Sequence, residues 1–208
     1  MSANLDLFDS PRELQALAVP DADLRFAHGF YTSEEAAALM AALLAETPWR
    51  QERIRIAGEM RWQPRLTSWH GDIGADYAYS GIRLDPHPWT PTLSRMRRDI
   101  EVATGHAYNS VLLNLYRDGN DSVGWHADDE ALLGPTPAIA SLSLGQTRLF
   151  RLRHKRRLHA PVDIQLTDGS LLLMAGSTQR HWEHTVPKER GERGPRINLT
   201  FRLIAARP

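Results

Sequence analysis

The half of the chain that follows Gly105 is a succession of short strand-like runs, and this excludes most architectures. Ser110 to Tyr116, Ile139 to Leu144, Arg148 to Leu152, Val162 to Leu166, Ser170 to Met174 and Arg196 to Leu203 are rich in Leu, Ile and Val, and turn residues separate them. Asp168 and Gly169 read as a tight hairpin turn between two of these runs. Many short strands at close spacing favour a sandwich or barrel over a parallel sheet. The last run is the most regular. Arg196, Asn198, Thr200 and Arg202 alternate with Ile197, Leu199, Phe201 and Leu203, which gives one polar and one apolar face. Two readings fit that alternation. One is a half-buried strand with a solvated polar face; the other is a barrel interior where guanidinium forks bind carboxylates.

Two helices precede this region. Thr32 and Glu35 stand in the relation of a capping box and open a helix over Ala36 to Glu46, ending before Pro48. Thr90 caps a second helix with Pro91 at its first position. Leu93, Met96, Ile100 and Ala103 recur along it at helical spacing, and Gly105 stops it. Both read as supports lying on a sheet. Residues 1–25 read as a loosely organised lead-in with a short helix from Pro11 to Leu17.

Composition narrows the chemistry. The chain has 208 residues, 42% of them hydrophobic, enough for one domain with a substantial core. It has no cysteine, so any metal must sit on His, Asp or Glu. The formal net charge is zero, so a nucleic-acid partner must meet a local basic patch. The densest one is Arg148, Arg151, Arg153, His154, Lys155, Arg156, Arg157 and His159, read as a loop gripping phosphates. No secretory signal and no membrane-length apolar run is present, and the expectation is a cytoplasmic, monomeric protein.

The stretch from Asn114 to Glu130 carries the ligand-type residues. On an extended backbone His126 and Asp128 point the same way, and together they supply two thirds of the 2-His-1-carboxylate face that binds non-haem Fe(II). A third ligand is available at His181 or His184, and spacing alone does not choose between them.

At this point the sequence resembles a known family, the AlkB-type Fe(II)/2-oxoglutarate dioxygenases, and among them the nucleic-acid demethylases of the ALKBH2 and ALKBH3 kind. The resemblance rests on several motifs in order: Pro64-Arg65-Leu66-Thr67, Tyr77-Ala78-Tyr79-Ser80-Gly81, Asn114-x-Tyr116, His126-Ala127-Asp128-Asp129-Glu130, the run Ile139 to Gly145, His184, and Pro195-Arg196-x-Asn198-Leu199-Thr200-Phe201-Arg202. It implies a mainly β fold with supporting helices: a double-stranded β-helix, or jelly-roll, barrel with an N-terminal α/β extension. The domain would span 26–208, with a nucleotide-recognition part at about 47–90 and the jelly-roll core at about 106–208.

The resemblance also implies the cofactors and the site. His184 becomes the third metal ligand beside His126 and Asp128, with Fe(II), 2-oxoglutarate and O2 as cofactor and cosubstrates. Arg202 and Asn114 would hold the carboxylate of 2-oxoglutarate next to the metal. Arg196, Tyr116 and Asn198 would hold the distal one, with Thr200 on the same face. The reaction implied is oxidative N-demethylation of 1-methyladenine- and 3-methylcytosine-type lesions in DNA or RNA, releasing formaldehyde, succinate and CO2. On the substrate side Tyr79 would stack on a flipped base, with Tyr77 and Ala78 adjacent, Asp129 and Glu130 beside it, Trp49 facing it and Arg65 bordering the pocket. Arg53 to Trp62 would carry any strand-separating finger, with Ile54, Ile56, Met60 and Trp62 as its apolar residues. The competing readings are a 2-oxoglutarate hydroxylase acting on protein or a small molecule, and a non-catalytic metal-bound barrel.

Overall fold

The computed structural model describes residues 12–56, 58–75, 77–79 and 82–205; the side chains of 54–56, 77–79 and 82–84 lie outside the description. In chain order the elements are β1 (Gln15–Leu17), β2 (Asp23–Ala27), α1 (Ser33–Glu46), β3 (Arg53–Ile56), β4 (Glu59–Trp62), β5 (Leu66–Gly71), β6 (Tyr77–Tyr79), β7 (Ile82–Leu84), α2 (Pro91–Thr104), β8 (Ser110–Tyr116), β9 (Val123–His126), β10 (Ile139–Gly145), β11 (Arg148–His154), β12 (Val162–Leu166), β13 (Leu171–Ala175), α3 (Thr178–His181), β14 (Trp182–Val186) and β15 (Arg196–Arg202).

Two antiparallel sheets dominate this mixed α/β fold. The larger has seven strands in the order β1-β2-β13-β10-β15-β8-β5, and the smaller has four in the order β12-β11-β14-β9. Two hairpins, β3-β4 and β6-β7, stand apart from both. The capping box forms as the sequence predicts: Thr32 accepts from the Glu35 backbone and Glu35 accepts from the Thr32 backbone. Gly105 takes a left-handed conformation, φ 71°, to end α2.

The apolar pattern resolves into two cores. Ala36, Leu39 and Leu43 of α1 and Leu93, Met96 and Ile100 of α2 pack on one face of the large sheet, against Leu113, Leu142, Leu199 and Phe201. The opposite face packs on the small sheet through Phe150, Leu152, Leu172, Met174 and Trp182. A large sheet covered on both faces has no solvated face to give to β15, and all seven of its residues are buried. Its apolar side chains go to the helices, while Arg196, Asn198, Thr200 and Arg202 go to the space between the sheets, where Arg196 is 1% and Arg202 4% exposed. The solvated-face reading of the alternation therefore fails, because both faces of the strand have a partner.

Two local expectations are corrected. Asp168 and Gly169 do not close a hairpin: β12 belongs to the small sheet and β13 to the large one. The turn is a corner between sheets. Gly169 has φ 70°, and a Cβ there would lie 2.2 Å from the Tyr31 carbonyl oxygen, so only glycine fits. Asp168 also accepts from the Gly145 N–H at 2.7 Å, which ties this corner to the connection from β10 in the large sheet to β11 in the small one. The helix expected up to Leu17 is instead β1, paired with β2, which pairs in turn with β13. Where tertiary pairing was available at the edge of the sheet, it overrode weak local helix propensity.

Candidate active site

Sheet register does most of the assembly. His184 on β14 lies directly across from His126 at the end of β9. Their ring centroids are 4.3 Å apart, and Phe150 stacks on His184 at 4.9 Å. Asp128 follows two residues after β9 and is 3% exposed. In the large sheet Arg196 pairs with Tyr116, and Asn198 with Asn114. One cavity between the sheets is lined by His126, Asp128, His184, Asn114, Tyr116, Arg196, Asn198, Thr200, Arg202 and Arg65. Apart from Arg65, which was expected on the substrate side, these are the expected metal and 2-oxoglutarate residues, gathered from β8, β9 and the residues just after it, β14 and β15.

The electrostatics suit a metal. Burial, helped by the neighbouring His126, pushes the His184 imidazole down to about 3, so the ring stays neutral and offers a lone pair. Burial works against charge on Asp128, but Arg202 and the two imidazoles outweigh it and hold the carboxyl below its ordinary range. Arg202 Nη2 donates to Asp128 Oδ1 at 2.7 Å. His126 Nδ1 lies 2.8 Å from the Gly124 carbonyl, which fixes the proton on Nδ1 and leaves Nε2 free.

The arginine beneath supplies the test of fit for a diacid. Arg196 Nη2 donates to Ser143 Oγ at 2.8 Å, but its Nε and Nη1 are buried without a hydrogen-bond partner. Burial drags its pKa down to about 10, and Tyr116 beside it only partly compensates. A dry guanidinium with idle donors is stable when a carboxylate fills its fork. Two imidazoles and a carboxylate with open positions likewise match the donor set of non-haem Fe(II).

The substrate-side residues divide. Asp129 is exposed and accepts from Lys155 Nζ at 2.8 Å, and Glu130 follows it as the chain leaves the metal loop. Arg65 is 5% exposed and spends its guanidinium on Asn114 Oδ1, at 2.7 Å, and on the Ser122 carbonyl. It sits inside the cavity wall and not on its rim. Trp49 packs against the core beneath the helices and does not line the cavity. Tyr77, Ala78 and Tyr79 form a strand paired with Ile82–Leu84, and their side chains lie outside the described residues. The same holds for Ile54 and Ile56, while Met60 and Trp62 on the β3-β4 hairpin are exposed.

The basic run is largely spoken for. Arg148 is 1% exposed and holds the Asp118, Asp121 and Pro187 carbonyls. Arg151 pairs with Asp163, Arg153 with Glu183 and Lys155 with Asp129. Arg151, Lys155, Arg156 and Arg157 are exposed, and of these Arg151 and Lys155 are already paired with acids. Sequence reasoning also missed Gln179. It is 1% exposed on α3, and its Oε1 accepts from the Asp128 N–H at 2.9 Å while its carbonyl accepts from Lys155 Nζ. A lone Gln in a four-residue helix carries no pattern that could have announced this.

Comparison with known proteins agrees with the geometry. Residues 23–202 match the 2OG-Fe(II) oxygenase superfamily. The chain is 44% identical to the alpha-ketoglutarate-dependent dioxygenase alkB homolog 3 of Homo sapiens over 194 residues, 86% of this chain and 65% of that protein. It is 42% identical to the DNA oxidative demethylase ALKBH2 of Homo sapiens over 159 residues, 73% of this chain and 61% of that protein. It thus spans less than two thirds of these relatives. Among solved structures it is similar to OsALKBH1, with a TM-score of 0.61 at 16% identity, covering 91% of this chain and 99% of that one. From the matched family and the paired histidines, carboxylate and arginine strand together, the chain belongs to the 2OG-Fe(II) oxygenase superfamily and is of the AlkB type.

Proposed function

We propose that this protein is an Fe(II)/2-oxoglutarate-dependent dioxygenase that removes methyl groups from the ring nitrogens of alkylated bases in nucleic acid. The observation that carries the reading is the meeting of His126, Asp128 and His184 in one cavity with a buried Arg196 whose Nε and Nη1 have no hydrogen-bond partner. A metal site alone would not call for that arginine, and a binding module would need neither. The two sheets, joined by paired corners, are read as the halves of a double-stranded β-helix, with the β3-β4 and β6-β7 hairpins as its nucleotide-recognition part.

In this reading His126, Asp128 and His184 hold iron on one face. When bound, iron with O2 and 2-oxoglutarate supplies oxidation of a C–H bond to C–OH, which turns an N-methyl into an N-hydroxymethyl that leaves as formaldehyde. The protein's part is positioning. Arg196, flanked by Tyr116 and Ser143, takes the distal carboxylate of 2-oxoglutarate, and Asn198 and Thr200 extend that polar floor. Arg202 orients Asp128, and Arg65 holds Asn114 in place. Asp129, at the exposed mouth, offers a carboxylate to a cationic methylated base, and such a base pairs poorly and is cheap to extrude. Lys155 engages only the Oδ2 of Asp129, and the second carboxylate oxygen can accept from the base.

The test is incubation with Fe(II), 2-oxoglutarate, ascorbate and an oligonucleotide bearing one 1-methyladenine or 3-methylcytosine. Formaldehyde and succinate should appear together, and His126→Ala should abolish both. Succinate without formaldehyde would move the substrate to a protein or small molecule. Absence of both would remove the enzymatic reading.

A further inference from the structure

A second group of ligand-type side chains lies outside the cavity. His154 ends β11, His181 ends α3, and Asp21 sits in the turn before β2. One donor atom from each lies within 4.8 Å of the others. His159, further along the loop after β11, approaches the same carboxylate. His154 Nε2 is 3.4 Å and His159 Nε2 3.2 Å from Asp21 Oδ2. Donors held by one tetrahedral ion at zinc-type bond lengths of about 2.0–2.1 Å stand about 3.3 Å apart. A direct charge-assisted hydrogen bond would be shorter, about 2.7–2.9 Å. The His159 contact is itself a long hydrogen bond, and the donors of Asp21, His154 and His181, all within 4.8 Å of one another, are close enough to converge on one ion.

A separate observation points the same way. His154 is 1% exposed, and its Nε2, aimed at Asp21, has no hydrogen-bond partner. Such a buried nitrogen ordinarily has one. The frame around it is rigid: the Trp182 ring meets His154 edge-on at 5.3 Å and stacks on His159 at 6.4 Å. Trp182 Nε1 donates to the Pro20 carbonyl at 3.0 Å, and Thr178 Oγ1 accepts from the Asp23 N–H at 2.9 Å, so the segment carrying Asp21 is fastened to α3 and β14. The Asp21 side chain is 44% exposed, which leaves an entry path and room for water as a further ligand.

We propose that Asp21, His154 and His181, with His159 as an auxiliary donor, bind a divalent ion of the zinc class, apart from the iron-type ligand set. One present contact must yield. The Arg156 N–H donates to His154 Nδ1 at 3.2 Å, whereas a metal on Nε2 puts the ring proton on Nδ1. The ion therefore displaces Arg156 and reshapes the turn that carries Lys155 and Arg157. Lys155 is the residue that holds Asp129 at the cavity mouth, so occupancy of the outer site is coupled to the substrate end of the inner one.

The experiment uses the full chain, stripped with chelator and titrated with Zn2+, and with Co2+ as a spectroscopic probe. Wild type should take up two equivalents. His126→Ala/Asp128→Ala should keep one, with the intense visible bands of tetrahedral Co2+. Asp21→Asn/His181→Ala should lose that equivalent and its bands while retaining the other and full folding by circular dichroism, since neither side chain is fully buried. Asp21→Asn alone should weaken the outer ion about 10-fold or more. A single equivalent in wild type, absent from His126→Ala/Asp128→Ala, would overturn the proposal and leave the catalytic reading intact. So would two equivalents that survive in Asp21→Asn/His181→Ala.

Discussion

The molecule brings two imidazoles and a carboxylate together twice, with opposite surroundings. The inner set, His126, Asp128 and His184, lies between the sheets, with Arg202 bonded to its carboxylate and Arg196 beneath. The outer set, Asp21, His154 and His181, has a half-exposed carboxylate and an indole wall. The two sets come close in sequence at one point, since His181 ends α3 and His184 lies three residues on, within β14. The donor types are the same, so donor type does not decide what each can do. The difference lies in what is buried beside them. A dry guanidinium beside the inner set gives a diacid a seat next to an ion. The outer set has room for water and, among the described residues, no buried guanidinium in its ligand group.

Removing that guanidinium should produce the largest effect. Arg196→Met is expected to raise the KM for 2-oxoglutarate by about 100-fold or more, because a desolvated carboxylate loses its paired charge, with kcat at saturation changed far less. Metal uptake at both sets should be unaltered. A normal KM would mean that Arg196 serves packing and that the contrast between the two sets is not one of cosubstrate binding.

Gln179→Leu should have a smaller effect, confined to the inner set. It removes the acceptor that holds the Asp128 N–H, and loss of such an orienting contact costs about 10-fold in metal affinity. Competition against a chelator would read this. If the outer ion weakened equally, α3 would be shown to couple the two sets, and they could not be treated as independent.

A third effect tests the burial of the inner set through pH. In the unfolded chain His184 takes a proton near its ordinary value of about 6.5. In the folded, metal-free protein burial delays that to about 3. Between these values the unfolded state binds the extra proton, so the stability present above about pH 6.5 drains away as pH falls through that window. The Tm of the metal-free protein should fall from pH 7 to pH 4, and His184→Asn should flatten the slope. An unchanged slope in the variant would place the acid sensitivity elsewhere.

Much of the inner set was legible in one dimension. His126 and Asp128 are two residues apart, and β15 alternates cleanly, so local period was enough to mark both. The third ligand was not legible from spacing. His184 is chosen over His181 because β14 pairs with β9 in a register that sets His184 against His126. The outer set was hidden for the same reason on a larger scale: Asp21 and His154 lie far apart along the chain and meet only because β2 joins the large sheet and β11 the small one. Within the basic run, sequence identified positive charge but not its partners, and Arg151, Arg153 and Lys155 are each engaged by an acid that another segment brings.

What the amino-acid order determined by itself is whatever repeats at short range: the capped helices, the strands, the polar face of the last strand, and the donor types available in a chain without cysteine. Tertiary structure alone decided which way that polar face looks, which histidines share a site, and that one arginine of the basic run is interior. Period and propensity act over a few residues, whereas burial and charge pairing depend on which distant segment packs alongside, and no local pattern encodes that partner.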